Sequence, residues 1–182
     1  MVEKLLGVIG GSGLYQMKGL EVIEKVTVDT PFGSPSDSII IGKLAGVKLA
    51  FLPRHGVGHV IPPSEINFRA NIFAMKKIGV ERIISVSAVG GMKENMPPGH
   101  FVVPHQFIDR TYKRISTFFT EGMVGHISMA DPVCLATART LFNAAQKSGA
   151  DVHEGGTYIC IEGPQFSFRA ESLLYRQWGV DI

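Results

Sequence analysis

The sequence predicts an α/β protein, a three-layer sandwich around a mixed, mostly parallel central sheet. Short apolar runs, which are typical of strands buried on both faces, alternate with longer stretches that are typical of helices. Two of the runs near the N-terminus are separated only by a turn around Gly46. Such spacing indicates an antiparallel hairpin inside an otherwise parallel sheet.

The chain opens on an apolar run that we interpret as a buried central strand. Strands are predicted, in order, at Leu5–Ile9, Val22–Val28, Ser38–Leu44, Val47–Leu52, Arg82–Ala88, Phe101–Val103, Tyr158–Ile161 and Val180–Ile182. Residues 105–130 show little periodicity and are predicted to form long loops.

Two of the three predicted helices carry start signals, and each of the three is followed by a glycine. Ser64 is predicted to cap the first helix, and Asp131 followed by Pro132 marks the start of the second. The helices are predicted at Glu65–Lys77, Pro132–Gln146 and Ser167–Gln177. Because a helix normally follows a strand such as Val180–Ile182 in this class, we expect a further C-terminal part of the domain beyond Ile182.

The composition is that of a globular protein and disfavours several classes of partner. The chain has 182 residues, 45% of them hydrophobic and 19% charged, which predicts one domain over residues 1–182. A net charge of +2 without a basic run argues against nucleic acid, and no apolar run is long enough to cross a membrane. Cys134 and Cys160 lie in apolar surroundings and are expected to be buried thiols of a cytoplasmic protein.

A glycine-rich turn follows the first strand. Gly10, Gly11 and Gly13 allow main-chain N–H groups to approach a ligand, and Ser12 adds a hydroxyl. This pattern is as typical of a tight turn without a ligand as of an anion or nucleotide site. The dinucleotide fingerprint would need a glycine where Gln16 stands, and no lysine completes a nucleotide P-loop, so a small anion is favoured.

Polar, glycine-assisted loops follow three predicted strands, and strand ends on one edge of a parallel sheet converge. They supply the Ser12 and Ser87 hydroxyls, the Arg54 guanidinium, His55 and the backbone near Ala88. Arginine is the side chain best suited to two-point binding of phosphate, so the loops predict a phosphate site. No metal is expected, because glycines between His55 and His59 argue against the helix that would align two ligands.

Several segments resemble one known family. GVIGGSGLY, VDTPFGSPSD, PRHGVGHVIPPSEINFRANI, HISMADP and IEGPQFSFRAES are similar to the purine nucleoside phosphorylases, most closely to their 5′-methylthioadenosine phosphorylase branch and also to the related methylthioinosine phosphorylases. The resemblance implies a nucleoside phosphorylase-like fold. It also implies phosphorolysis of a purine nucleoside to the free purine and a ribose 1-phosphate, with inorganic phosphate as co-substrate and no cofactor.

The resemblance also implies roles for individual residues. Phosphate is expected to contact Ser12, Arg54, His55, Ser87 and the Ala88 amide. Phe166 matches the residue that packs on the purine, and Ser167 stands where the family tunes its choice of base. His126 matches a residue lent to a neighbouring subunit's sugar pocket, which implies a homotrimer or homohexamer.

The chain departs from the family pattern in two places. The purine-side acid is expected beyond Ile182, so no catalytic residue is assigned, and Phe168 replaces a smaller polar residue. Three alternatives stay open: a non-catalytic protein that binds phosphate or nucleoside, a phosphorylase specific for 6-oxopurines, and a hydrolase. The hydrolase would use Glu162 and Glu171 as a carboxylate pair, although these residues need not face each other.

Overall fold

A computed structural model of the chain describes residues 4–11, 14 and 17–182, and these residues form two compact units. Unit 1 runs to Ala88 and includes Arg114–Phe118, whereas unit 2 consists of Val89–Lys113 and Phe119–Ile182. No helix in the described part of the chain is long and apolar enough to span a membrane.

Unit 1 is built on a five-stranded mixed sheet and one α-helix. Its elements are β1 (Leu5–Gly10), β2 (Glu21–Val26), β3 (Ile39–Leu44), β4 (Val47–Pro53), α1 (Phe68–Lys77) and β5 (Val80–Ser85). The strands lie in the order β2-β3-β4-β1-β5. β1 is parallel to β4 and to β5, whereas β3 is antiparallel to β2 and β4. The hairpin predicted around Gly46 is therefore confirmed.

Both faces of this sheet are buried at β3 and β4, where successive side chains point to opposite faces. One face carries Ile39, Ile41, Ala50 and Leu52, packed with Ala74 and Met75 of α1; the other carries Ile40, Leu49 and Phe51. Burial on both faces explains why β3 and β4 appear in the sequence as continuous apolar runs rather than as alternating patterns.

Unit 2 contains two short parallel strand pairs and two α-helices. Its elements are β6 (Phe101–Val103), β7 (Gln106–Arg110), α2 (Leu135–Lys147), β8 (Val152–Glu154), β9 (Thr157–Ile161) and α3 (Arg169–Gln177). β6 pairs with β8 and β7 pairs with β9. A small core joins Ile159, Tyr175 and Val180. The predicted α/β class with mixed, mostly parallel strands is confirmed.

Some predicted strands differ from those in the structure. The prediction of loops throughout residues 105–130 is wrong at β7, and β8 is absent from the predicted strands, because both are short strands held by distant partners. β5 begins and ends earlier than predicted, directly after the turn at Gly79. Residues 180–182 run beside β9, where Ile159 N–H donates to Ile182 O (2.9 Å), without forming a regular strand.

All three helix starts were predicted too early, and α3 begins at Arg169 rather than at Ser167. α1 is capped by Asn67, whose Oδ1 accepts from Ala70 N–H (3.1 Å), while Ser64 lies in a preceding 3₁₀ turn. α2 begins at Leu135, because Cys134 still has an extended backbone. Both cysteines are thiols as predicted, but neither is buried: Cys134 is exposed and Cys160 is partly buried.

Candidate functional site

The carboxyl ends of β4, β1 and β5 meet at one edge of the sheet in unit 1. The register pairs Gly10 with Pro53 and Ile9 with Ser85. One further hydrogen bond continues each ladder: Arg54 N–H donates to Gly10 O (3.0 Å) and Val86 N–H donates to Ile9 O (2.9 Å). The segments that follow the three strands therefore leave the sheet side by side, as the sequence predicted.

Gly10 allows the chain after β1 to pass close to the chain after β5. A Cβ atom at this position would lie 2.2 Å from Leu14 Cδ1 and 3.3 Å from Val86 O, both too near for ordinary packing. A larger residue at this position would therefore displace the Leu14 side chain and press on Val86 O. Ser12 and Gly13, which the sequence analysis placed in the same turn, lie outside the described residues.

The Arg54 side chain is held against the segment that follows β5. Its Nη1 donates to Val86 O over 2.8 Å. Ser87 and Ala88 follow directly as exposed residues of irregular backbone. The structure thus brings three of the predicted phosphate-site residues, Arg54, Ser87 and Ala88, to one sheet edge, with a cationic fork beside a hydroxyl and backbone amides.

His55 closes the loop that follows β4. Its side chain is only 7% exposed, and its Nδ1 lies 2.8 Å from Ile61 O. Because a carbonyl oxygen only accepts, Nδ1 carries the proton. Val60 and Ile61 N–H groups both donate to His55 O (3.0 Å), and the His59 ring stacks on the His55 ring with centroids 4.2 Å apart. His55 is therefore fixed in orientation before any ligand binds.

Burial lowers the pKa of His55; the bond to Ile61 opposes this, and the nearby Arg54 and His59 add to the lowering. The unfolded chain, with a histidine pKa of about 6.5, then binds more protons than the folded chain at mildly acidic pH. The stability that neutral His55 contributes is fully present above the unfolded-state pKa of about 6.5. It is lost progressively as the pH falls from there to the folded-state pKa.

We therefore expect the melting temperature to fall on acidification from about pH 7.5 to 5.5, and the fall to be shallower in His55→Asn. Asparagine keeps an N–H donor for Ile61 O but does not titrate. Circular dichroism melts across this pH range measure the effect, with exposed His126→Asn as the matched control. Equal slopes in wild type and His55→Asn would show that His55 is not a source of the pH dependence.

Asp37 is a loop-anchoring residue to which the sequence analysis gave no role. Its Oδ2 accepts from Val57 N–H (2.8 Å) and its Oδ1 from Ser38 N–H (2.8 Å). The carboxylate thus ties the tip of the His55 loop to the turn before β3. Asp37 is part of the segment VDTPFGSPSD, but only the fold reveals a partner 20 residues away.

The described residues contain no group of three or more His, Cys, Asp or Glu side chains arranged to hold a metal ion. The His55 and His59 rings, the metal pair considered from the sequence, are stacked face to face with an interplanar angle of 25°. Their imidazole planes lie almost parallel, and Nδ1 of His55 is engaged with a carbonyl oxygen.

Unit 2 carries the three predicted substrate residues. Phe166 is 92% exposed, in the segment between β9 and α3. The next residue, Ser167, has its Oγ 2.7 Å from Ser172 Oγ. His126 lies in an exposed irregular stretch. Phe168, the departure from the family pattern, occupies the N-cap of α3, where its N–H donates to Glu171 Oε2 (2.7 Å) and its ring stays exposed.

The two carboxylates considered for a hydrolase have separate structural partners. Glu162 is 3% exposed, and its Oε2 accepts from Tyr112 N–H (2.7 Å) and Lys113 N–H (3.1 Å). Glu171 caps the first turn of α3 through the Phe168 amide. Each carboxylate fixes a different backbone segment, which favours structural roles over a shared hydrolytic one.

Comparison with known proteins places the chain in a family. The family model described as the Phosphorylase superfamily matches residues 5–182, and the chain belongs to this superfamily. It is 59% identical over 182 residues to the S-methyl-5′-thioadenosine phosphorylase of Geobacter sulfurreducens and covers 64% of that protein. It is 57% identical to the enzyme of that name from Koribacter versatilis, with 97% of this chain and 61% of the relative covered. The chain thus spans less than two thirds of the length of these relatives.

Solved structures confirm the nucleoside phosphorylase-like fold. A methylthioadenosine phosphorylase from an antarctic soil metagenomic library superposes with a TM-score of 0.94 at 50% identity, covering 98% of this chain and 64% of the other. The methylthioadenosine phosphorylase of Schistosoma mansoni in complex with adenine gives a TM-score of 0.92 at 37% identity, covering 98% of this chain and 72% of the other.

Proposed function

We propose that the chain supplies the phosphate-binding and nucleoside-binding parts of a phosphorylase acting on 5′-methylthioadenosine or a close purine nucleoside. The products would be the free purine and 5-methylthioribose 1-phosphate. The observation that carries the proposal is the edge where three parallel strands end, with Arg54 held against the segment of Ser87 and Ala88. The names of the relatives support the choice of substrate.

The chemistry requires little more than positioning and charge. Breaking the glycosidic bond builds positive charge on the sugar ring, and a phosphate oxygen then attacks the anomeric carbon. Arg54, His55, Ser87, the Ala88 amide and Ser12 are the proposed phosphate contacts, and no cofactor is needed. Departure of the purine is assisted by an acid near its N7, a role for which we propose no residue within this chain.

The purine would lie on Phe166, with Ser167 at its edge. The adenine bound to the Schistosoma mansoni relative supports a 6-aminopurine. We further propose a homotrimer or homohexamer in which His126 reaches a neighbouring sugar pocket, and its position in an exposed stretch supports this. The cytoplasm is the proposed compartment, and Cys134 and Cys160, which form no disulfide, are consistent with it.

The test is whether adenine release from 5′-methylthioadenosine depends on inorganic phosphate. We expect release only when phosphate is present, with a sugar 1-phosphate detected by phosphorus NMR and sulfate serving as the control anion. A sugar product without phosphate would replace the proposal by a nucleosidase. Binding of phosphate and nucleoside without any release would replace it by a non-catalytic binding protein.

A further inference from the structure

A buried carboxylate in unit 2 joins two segments to which separate substrate contacts have been assigned. Glu162 follows β9 directly, and its side chain is 3% exposed. Its Oε2 accepts from the successive N–H groups of Tyr112 (2.7 Å) and Lys113 (3.1 Å), which follow β7. Because β7 and β9 pair in parallel up to Arg110 and Ile161, the carboxylate extends the strand pairing beyond its last residues.

Two segments begin at this link. Residues 162–168, the base-side loop, contain Phe166 and Ser167. Residues 111–133, the sugar-side segment, contain His126. The start of the sugar-side segment is also braced by Asp109, whose Oδ1 accepts from Thr111 N–H (2.8 Å) and Thr111 Oγ1 (2.7 Å). Both segments are largely irregular, so no continuing strand or helix fixes where they start.

We propose that Glu162 is a positioning residue that couples recognition of the purine to recognition of the sugar, an inference that rests on the proposed function. A carboxylate oxygen with two backbone amides makes charge-assisted hydrogen bonds, which are stronger than neutral ones. Loss of the bonds releases the sugar-side segment from the base-side loop. In the proposed oligomer a nucleoside engages the base-side loop of one subunit and the sugar-side segment of its neighbour, so it loses affinity when every subunit carries the substitution. A ligand that engages only the base-side loop does not.

The experiment compares 5′-methylthioadenosine, adenine and inorganic phosphate as ligands in calorimetry. In Glu162→Ala we expect affinity for the nucleoside to fall about tenfold or more, the size of one lost charge-assisted hydrogen bond. Affinities for adenine and phosphate should stay within about twofold. Glu162→Gln keeps an oxygen acceptor and should restore most of the nucleoside affinity. Glu154→Gln, which removes an exposed carboxylate from β8, is the matched control.

Backbone amide exchange of Tyr112 and Lys113, followed by NMR, tests the link without any ligand. We expect exchange about tenfold faster in Glu162→Ala and close to wild type in Glu162→Gln. Equal losses of nucleoside and adenine affinity, or unchanged exchange in Glu162→Ala, would overturn the proposal. If wild type binds neither nucleoside nor adenine, the proposed function is wrong, and so is the role of Glu162 in recognition. Faster exchange in Glu162→Ala would then show only that Glu162 fixes the backbone of Tyr112 and Lys113.

Discussion

Replacing Arg54 by alanine is expected to weaken the binding of inorganic phosphate by about 100-fold or more. The planar guanidinium can offer two parallel N–H donors to one phosphate, and each charge-assisted bond contributes about 1.5–3 kcal/mol. The substitution also removes the bond from Nη1 to Val86 O, which holds the side chain beside Ser87 and Ala88. Calorimetric titration with phosphate measures the loss.

Two further variants separate charge from geometry at this position. Arg54→Lys keeps the positive charge but loses the fork, so we expect an intermediate loss of about tenfold. Arg82→Ala removes the same charge from an exposed position on β5 and should change phosphate affinity by no more than about twofold. Unchanged phosphate affinity in a folded Arg54→Ala protein would remove Arg54 from the site.

The fold was predictable where local sequence and tertiary packing agree. β3 and β4 are apolar enough to be recognised alone, and the turn between them has positive φ at Ala45 and Gly46, so the hairpin is encoded within 15 residues. β7 and β8 are different, because runs of three to five residues with one or two apolar side chains become strands only by pairing with partners about 50 residues away. The local sequence pattern does not indicate such a distant partner.

The same distinction separates the placements that the sequence could indicate from the contacts that it could not. Arg54, Ser87 and Ala88 follow apolar strands, and the convergence of parallel strand ends is a general rule. Asp37 and Glu162 instead act through backbone amides of Val57 and Tyr112, 20 and 50 residues distant.

The start of α1 was predicted wrongly for a related reason. Asn67 caps α1 while its Nδ2 donates to Phe32 O (2.6 Å), a contact that Ser64 does not make.

Asp181 is expected to be the polar side chain of unit 2 on which stability depends most strongly. Its side chain is 8% exposed, pairs with Lys93 Nζ and accepts from Thr157 N–H over 2.7 Å. Its main-chain O accepts from Met92 N–H (2.8 Å). A Cβ at Gly156 would lie 3.0 Å from the Asp181 carboxylate. The glycine at this position, which has a φ of 102°, therefore allows the start of β9 to lie this close to Asp181. The Asp181 carboxylate therefore links the segments that contain Lys93, Thr157 and Asp181 itself.

Asp181→Asn should lower the free energy of unfolding of unit 2 by about 2–3 kcal/mol at neutral pH, because Lys93 and Thr157 lose a charged acceptor. Trp178, the single tryptophan, lies beside Tyr175 in this unit, so its fluorescence follows unfolding in urea. Asp131→Asn, at an exposed position of the same unit, is the matched control and should change stability by less than about 0.5 kcal/mol.

The difference between wild type and Asp181→Asn should also shrink in acid. Burial raises the pKa of Asp181, but the hydrogen bonds from Lys93 and Thr157 N–H outweigh it, and the net pKa is lowered. A carboxyl whose folded-state pKa lies below its unfolded value, about 3.9, stabilises the fold above that pH and loses the contribution as the pH falls through the folded-state pKa. Urea midpoints that differ equally at pH 7 and pH 3 would show that the effect comes from packing and not from the charge.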